Sequence, residues 1–593
     1  MTAAELTPKK VPFGPYEFDL DGGELYRGGK VVPLQPQSLQ LLHCLLERPG
    51  EIVSRTELRA RLWPPHTVVD FDAGLNAAIK KLRGVLHDPP TRPHFIKTVA
   101  RRGYRFIGVS KAGRKHDSLD SLAVLPFATD GGDTDMKYIG EGIAERLIHA
   151  LSELPGIGKV IARNSAFKYA NSEPKEIGHV LGVRAVLTGQ LRITDRSVCL
   201  TAELSDTADA SHIWGATFDR RLTELPTLQV ELADEIYAML SARLPGKRAQ
   251  PAARTSRIGN FDAYRLYLQG RYAWSKRPAV GAVDEAIGLF DQAIEHDGSF
   301  ALAHAGLADC YNTLAAWESG SIAPRVGFEK ARQSALRALQ LDGRSAEAHT
   351  SLGYTHLHYS WEWEHAELQF KRALAINPHY AHARHWYSHL LAAVGRTGES
   401  LQESRRLIEL DPFDLINNVH LSWHYYMARE FPMALSEAQH TLAMEKRFHW
   451  GYFFMGLALN AMGEQRDAIK HLRKAFQFSG HSTVMLSALG HVYGAAHLHD
   501  AARDVLRTLC ELSGSRYVSS YEIALIHIAL DEHDKALDFL GAAVEERSGW
   551  LPYVQNDVRL DPIRSTPRFA ALTAQVGLQV VRNDTKRGPT RHG

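Results

Sequence analysis

Residues 95–106 read FIKTVARRGYRF. Two short runs of β-type side chains, FIKTV and YRF, flank Ala100-Arg101-Arg102-Gly103, and Gly103 can supply the φ > 0 conformation that a tight hairpin needs. A hairpin tip with two adjacent arginines is either a solvated turn or a finger laid along a polyanion. The residues on either side decide between them.

The segment just before the hairpin, DAGLNAAIKKLRGVLHD (72–88), has helical periodicity. Leu75, Ile79, Leu82 and Leu86 form its apolar stripe. At about 100° per residue, Ala73, Ala77, Lys80 and Gly84 fall opposite that stripe, with Asn76, Lys81 and Arg83 toward the flanks. Solvated helices usually mix both signs of charge to gain i,i+4 pairs, but no acid lies between Leu75 and His87. Small side chains let the helix axis approach a groove wall while the cations reach outward. The whole chain of 593 residues has a formal net charge of only +2. Residues 1–115 nevertheless hold 19 Lys and Arg against 11 Asp and Glu, and residues 76–115 hold 11 Lys and Arg against Asp88 alone. That asymmetry points to a polyanion partner for the first domain.

Upstream, YEFDLDGGELYRGGKVVPL (16–34) alternates like a small antiparallel sheet, QSLQLLHCLLERPG reads as a helix, and SRTELRARLW opens with Ser54 and Glu57 at capping-box spacing. With AIKKLRGVL as a recognition-helix pattern and TVARRGYRF as a wing pattern, residues 12–108 resemble the winged-helix domain of OmpR/PhoB-type regulators. The likeness is to the receiver-less, CadC-like and HilA-like subgroup. It implies a recognition helix over 72–87 in the major groove and Arg101 and Arg102 at the wing tip, with Tyr104 and Phe106 packed under the sheet. The DNA-contact candidates are Ala73, Asn76, Ala77, Lys80, Lys81, Arg83, Arg101 and Arg102. Asn suits adenine edges and Lys suits guanine, so Asn76 and Lys80 are the expected base readers; the other polar residues contact phosphate. No receiver domain precedes residue 12, so no aspartyl-phosphate switch is expected.

After a polar linker (109–121), residues 122–245 alternate β-like and helical runs. SLAVLPF, KVIARNS, RAVLTGQLRIT, SVCLTAELSDT and HIWGATFDRR read as strands, and YIGEGIAERLIHALSEL as a helix. This small α/β domain resembles TolB-amino-terminal-like modules, which carry no agreed chemistry. A second linker spans 246–260.

Residues 261–547 are almost wholly helical and periodic. Ala366, Ser400, Ala434, Ala468, Ala502 and Ala536 keep one constant step, and Ser388, Ser422, Gly456, Gly490 and Ala524 keep the same step in a second register. Two helices that cross closely each need a small residue at the contact, so both registers predict stacked helix pairs. The step of about 34 residues is that of the tetratricopeptide repeat, which the pattern resembles. The resemblance implies an all-α solenoid of about eight pairs, with 548–580 as a C-terminal helical cap. In such a solenoid a stripe of each first helix, including His382, His385, His389, Trp423, Tyr426, Trp450 and Phe453, lines a groove. That groove is expected to bind a protein or peptide partner or a small effector, or to pack against the chain's own linker or middle domain. Three histidines at i, i+3 and i+7 can bind a transition metal, but no carboxylate or thiol joins the stripe. The expectation is therefore no metal.

The fold class is thus multidomain: a winged helix-turn-helix (α+β), a small α/β domain and an all-α tetratricopeptide solenoid. The four cysteines are dispersed, and the polar start has no signal-peptide core. No apolar run approaches the ~18 residues of a membrane span. These features predict a soluble cytoplasmic protein that does not engage membranes. No GxSxG, HExxH, HRD or Walker motif is present, so neither catalysis nor a cofactor is expected. The function expected is that of a bacterial transcriptional regulator binding double-stranded promoter DNA, with RNA polymerase as a further partner. The alternative is a scaffold whose winged helix serves protein interaction.

Overall fold

In the computed structural model the described residues are 10–13, 16–20, 22–27, 30–47, 52–63, 71–86, 88, 95–99, 103–107, 119–129, 136–154, 156–194, 196–241, 260–276, 281–316 and 322–578. They fall in two compact units, Met1–Ser118 and Leu119–Gly593.

The first unit begins with an antiparallel sheet, β1 (Lys10–Phe13), β2 (Tyr16–Asp19), β3 (Glu24–Arg27) and β4 (Lys30–Val31), in that order. Helix α1 (Pro36–Glu47), strand β5 (Ile52–Ser54), helix α2 (Arg55–Leu62) and helix α3 (Phe71–Leu86) follow. The Ser54 side chain caps α2 by accepting from the Glu57 backbone N–H at 3.1 Å, as the Ser-x-x-Glu spacing predicts. Strands β6 (Ile96–Val99) and β7 (Gly103–Phe106) pair antiparallel, with β5 on the far side of β7. The α3 stripe of Leu75, Ile79, Leu82 and Leu86 is buried in one core with α1 residues Leu41, Leu42 and Leu45 and with Tyr104 and Phe106. This is a winged helix.

Gly103 takes the positive φ its position suggests, at +155°, a conformation that residues with side chains rarely adopt. A Cβ there would lie 2.1 Å from the Val53 carbonyl oxygen, so glycine is required by the close approach of β7 to β5.

The second unit opens with a six-stranded sheet. Strands β8 (Ser121–Val124), β9 (Ala128–Thr129), β10 (Lys159–Val160), β11 (Ala185–Ile193), β12 (Ser197–Asp206) and β13 (His212–Arg221) give the order β10-β8-β11-β12-β13, with β9 also on β11. The β10-β8-β11 edge is parallel and β11-β12-β13 is antiparallel. Helices α4 (Lys137–Ser152), α5 (Arg163–Ala166), α6 (Pro174–Leu181) and α7 (Leu225–Ser241) complete it. KVIARNS is strand only at Lys159–Val160. It then turns into α5, whose Ser165 and Asn164 side chains bond Asp411 and Asp414 of the helical array.

Sixteen helices follow among the described residues, from α8 (Phe261–Ser275) to α23 (His533–Glu545), succeeded by α24 (Pro567–Gln575). Both small-residue registers meet where expected. Ser400 Oγ donates to the Ser388 carbonyl at 2.8 Å, Ser422 Oγ donates to the Ala434 carbonyl at 2.7 Å, and a Cβ on Gly456 would strike Leu472 at 2.6 Å. A third register becomes visible only in the backbone. Trp361, Gly395, Arg429, Gly463, His497 and Asp531 recur at the same step, and all have φ between 58° and 82°. The turn inside each repeat demands the left-handed region, yet only two of the six are glycine.

The sheet layer and the array share a core that includes Leu147, Leu151, Leu232 and Ile236 together with Tyr264, Tyr267 and Phe290. Buried Glu145 on α4 is paired with Arg271 of α8 and Arg163 of α5. Burial pushes its carboxyl pKa up, but the guanidiniums of Arg271 and Arg163 outweigh that and hold it at about 2.

Two substitutions check these constraints. Gly103→Ala is expected to destabilise the first unit by about 2–3 kcal/mol in denaturant melts, because the Val53 carbonyl has no room to move. Asp531→Gly is expected to raise the stability of the second unit by up to ~1 kcal/mol by relieving a left-handed non-glycine residue; a loss of stability there contradicts the backbone reading.

Candidate nucleic-acid interface

With one side of α3 committed to the core, the other presents Asn76, Ala77, Lys80, Lys81 and Gly84 to solvent. Ala73 sits in the first turn of the same helix. Lys80 has no hydrogen-bond or ion-pair partner among the described residues, while Lys81 Nζ donates to Gln35 Oε1 at 2.7 Å. Arg101 and Arg102, the expected wing tip, lie outside the described residues.

Asn76 is held in place by the unit's own side chains. Its Oδ1 accepts from the Tyr104 hydroxyl at 2.9 Å and from Arg55 Nη2 at 3.2 Å, and the Arg55 guanidinium lies 5.4 Å from the Tyr104 ring centroid. Guanidinium only donates, so the atom facing it is the amide oxygen and the orientation of the amide is determined. Two donors occupy that oxygen, which leaves the amide N–H groups for an outside partner. Bidentate pairing with adenine needs both the oxygen and the nitrogen of an Asn amide. In this structure the Asn76 oxygen is therefore engaged within the unit itself. Arg55 and Tyr104 as orienting residues escape a sequence reading, because their contact with Asn76 joins segments 21 and 28 residues apart. Lys97, exposed on β6 next to buried Ile96, is a further cation of this unit that the sequence reading omits, although strand alternation signals it.

Arg83 faces inward. Its Nη2 donates to the Ile96 carbonyl at 2.6 Å and to Thr98 Oγ1 at 3.0 Å, and its Nε lies 3.9 Å from Asp88 Oδ2. Asp88 is 3% exposed, and its carboxylate also accepts from the backbone N–H groups of Phe95 and Ile96 at 3.1 and 2.8 Å. The one acid of segment 76–115 is thus turned inside, where it ties the end of α3 to the wing strand. It does not offset the charge of the outer face.

The residues assigned to a partner groove are arranged differently from the expectation. His385, His389, Trp423, Tyr426, Trp450 and Phe453 are all buried and His382 is half-buried. The chain's own C-terminal segment packs on the His389 and Trp423 part of the stripe. Tyr553 packs on Trp423 at a 4.5 Å centroid distance, Trp550 packs on Trp423 at 6.1 Å, and Asn556 Nδ2 donates to the Ala392 carbonyl at 2.7 Å. Arg429 pairs with Asp561 through both nitrogens at 2.7 and 2.8 Å. Aromatic side chains with apolar bodies take whatever surface covers them, and here the returning chain does so. Six of the seven residues are thus buried rather than lining an open groove, and half-buried His382 faces Trp274 and Trp386. Burial and the neighbouring imidazoles push the pKa values of His389 and His420 well below the usual histidine range, and burial takes His358 and His424 to about 3.

Residues 29–106 match the family described as "Transcriptional regulatory protein, C terminal". The "Putative adenylate cyclase 3" of Rhizobium meliloti is 30% identical over 255 residues, which covers 42% of each chain. The transcriptional regulator HilA of Salmonella typhimurium is 23% identical over 426 residues, 71% of this chain and 74% of the relative. The chain thus spans less than half the length of the first of these relatives and about three quarters of the second. Among solved structures, the Klebsiella pneumoniae RstA DNA-binding domain in complex with the RstA box is 30% identical, covers 17% of this chain and 99% of that one, and has a TM-score of 0.16.

Asp88→Ala strips two backbone donors and a guanidinium of their acceptor. It is expected to cost about 3 kcal/mol in denaturant melts of the first unit, with Asp88→Asn costing less. Equal stability of Asp88→Ala and wild type contradicts the internal role.

Proposed function

We propose that this chain, whose residues 29–106 match the transcriptional-regulator C-terminal family, is a DNA-binding transcriptional regulator in which α3 enters the major groove and the wing lies beside it. The observation that carries the reading is the outer face of α3: small residues and unopposed lysines over a buried stripe, with the segment's only acid folded away. Ala77 and Gly84 let the helix approach the groove floor. Asn76 and Lys80 are the base-reading residues of this reading, and Lys81, Lys97, Arg101 and Arg102 contact phosphate. Arg83 contributes by bracing α3 against the wing.

Relatives named as transcriptional regulators favour this role over a scaffold or an enzyme, and no described helix is long and apolar enough to cross a membrane. The reading places the protein in the cytoplasm with RNA polymerase as a further partner. Recruitment or sensing by the repeats then uses faces other than the part of the stripe on which the C-terminal segment packs.

Selection of binding sites from random duplexes by the full chain, followed by salt titration, tests the proposal. The logarithm of affinity is expected to fall linearly with the logarithm of salt concentration, and Lys80→Ala is expected to lower affinity for the selected site. Lys81→Ala is expected to weaken all sequences alike and to reduce the slope by about 1. Salt-independent binding, or no enriched sequence, sinks the reading.

A further inference from the structure

Helix α14 (Ala381–Ala393) carries His385 and His389 one turn apart, and helix α16 (Leu415–Met427) of the next repeat carries His420. His389 Nε2 lies 2.9 Å from His420 Nδ1, and His385 Nε2 lies 3.1 Å from that same atom. The three rings are buried, and one nitrogen from each lies within 4.8 Å of the others. We propose that this cluster is a transition-metal site, in which His385, His389 and His420 ligate a divalent ion of the zinc class through three imidazole nitrogens.

The spacing suits the ion. Zinc–nitrogen bonds of ~2.0–2.1 Å in tetrahedral geometry place ligand nitrogens roughly 3.3–3.4 Å apart; the two separations from His420 Nδ1, 2.9 and 3.1 Å, are within a few tenths of an ångström of that, and the His385–His389 pair lies within 4.8 Å. The outer contacts suit it as well. His385 Nδ1 faces Asn417 Oδ1 at 2.7 Å, which places the imidazole proton on Nδ1 and a lone pair on the inward Nε2. Asn417 is itself oriented by donating to Asp411 at 3.2 Å. His389 repeats the arrangement, with Nδ1 3.2 Å from the Tyr553 hydroxyl and Nε2 inward. Ligand histidines are characteristically held in this way, with the second ring nitrogen on a polar partner.

A purely structural polar cluster explains the site less well. Buried polar atoms are normally satisfied, yet His424, with its ring centroid 4.7 Å from His389, buries an Nε2 that has no hydrogen-bond partner among the described residues. Trp386, Trp423, Phe454 and Tyr553 wall the cluster. An ion there exchanges slowly, entering when the array opens or as it folds. It joins two successive repeats to each other and, through His389, to the returning C-terminal segment. Spacing along one helix points to His382 as the third ligand, and the structure differs. The His382 ring is turned to Trp386, which lies 3.3 Å away, and the third ligand comes instead from the following repeat, 31 residues beyond His389.

The test uses the full chain freed of metal by chelator and titrated with Zn2+ and, separately, Co2+. One equivalent of Zn2+ per chain is expected, and the Co2+ form is expected to show the intense visible bands of a four-coordinate ion held by three imidazole nitrogens and a water. His420→Gln is expected to lower Zn2+ affinity at least ~100-fold. Asn417→Ala, outside the ligand set, is expected to lower it roughly 10- to 100-fold, so the test stands even if the His420 variant fails to fold. Circular dichroism reports folding of each variant. Absence of stoichiometric Zn2+ binding by folded wild type, weak six-coordinate Co2+ bands, or unchanged affinity in a folded Asn417→Ala or His420→Gln variant overturns the proposal.

Discussion

Close crossing of the two helices within each repeat is the constraint on which the larger unit depends. At Ser388 against Ser400, Ser422 against Ala434 and Gly456 against Ala468, one helix meets the other with no side chain large enough to hold them apart. Each crossing sets the tilt of its pair, and the next pair must stack on the surface so created. The turn that makes each crossing possible is equally restrictive, and the chain accepts Trp361, Arg429, His497 and Asp531 in left-handed backbone to satisfy it. Once the crossings are in place the aromatic stripe follows, and so does a large apolar surface that has to be covered.

That surface is covered from within the chain. Trp550, Tyr553 and the segment around Asp557–Asp561 lie across several repeats, while α5 and Ile157, just before β10, contact the loops near residues 379 and 411. The sheet layer and the array are consequently not independent bodies. Glu145, held ionised by Arg163 of its own layer and Arg271 of the array, keeps its full set of partners only while the two layers remain docked.

The smaller unit solves the opposite problem, keeping charge outside. Its basic segment contains one carboxylate, and Asp88 is spent on two backbone amides and Arg83. A surface acid at that place would have partly neutralised the outer face of α3. Turned inward, it braces the helix against the wing and leaves Lys80 and Lys81 unopposed.

Periodicity makes most of this legible in the residues alone. Leu75, Ile79, Leu82 and Leu86 mark the buried side of α3, Ser54 and Glu57 mark the start of α2, and two registers of small residues mark the helix pairs, because each is a local pattern dictated by helix geometry. Angular position on a helix places Arg83 toward a flank, but it does not reveal that a strand lies beside that flank. Asn76 falls on the correct face, yet the donors Tyr104 and Arg55 that use up its oxygen arrive from distant segments. The histidine stripe differs from its expectation for the same reason: its cover comes from 164 residues away, in Tyr553, and its third nitrogen from the next repeat. The sequence by itself determined which side of each helix is buried and how often the pairs recur, since neighbouring residues on a helix impose that. Only the tertiary structure decided what lies against those sides, since that depends on which distant segment has the shape and the hydrogen-bonding groups to satisfy them.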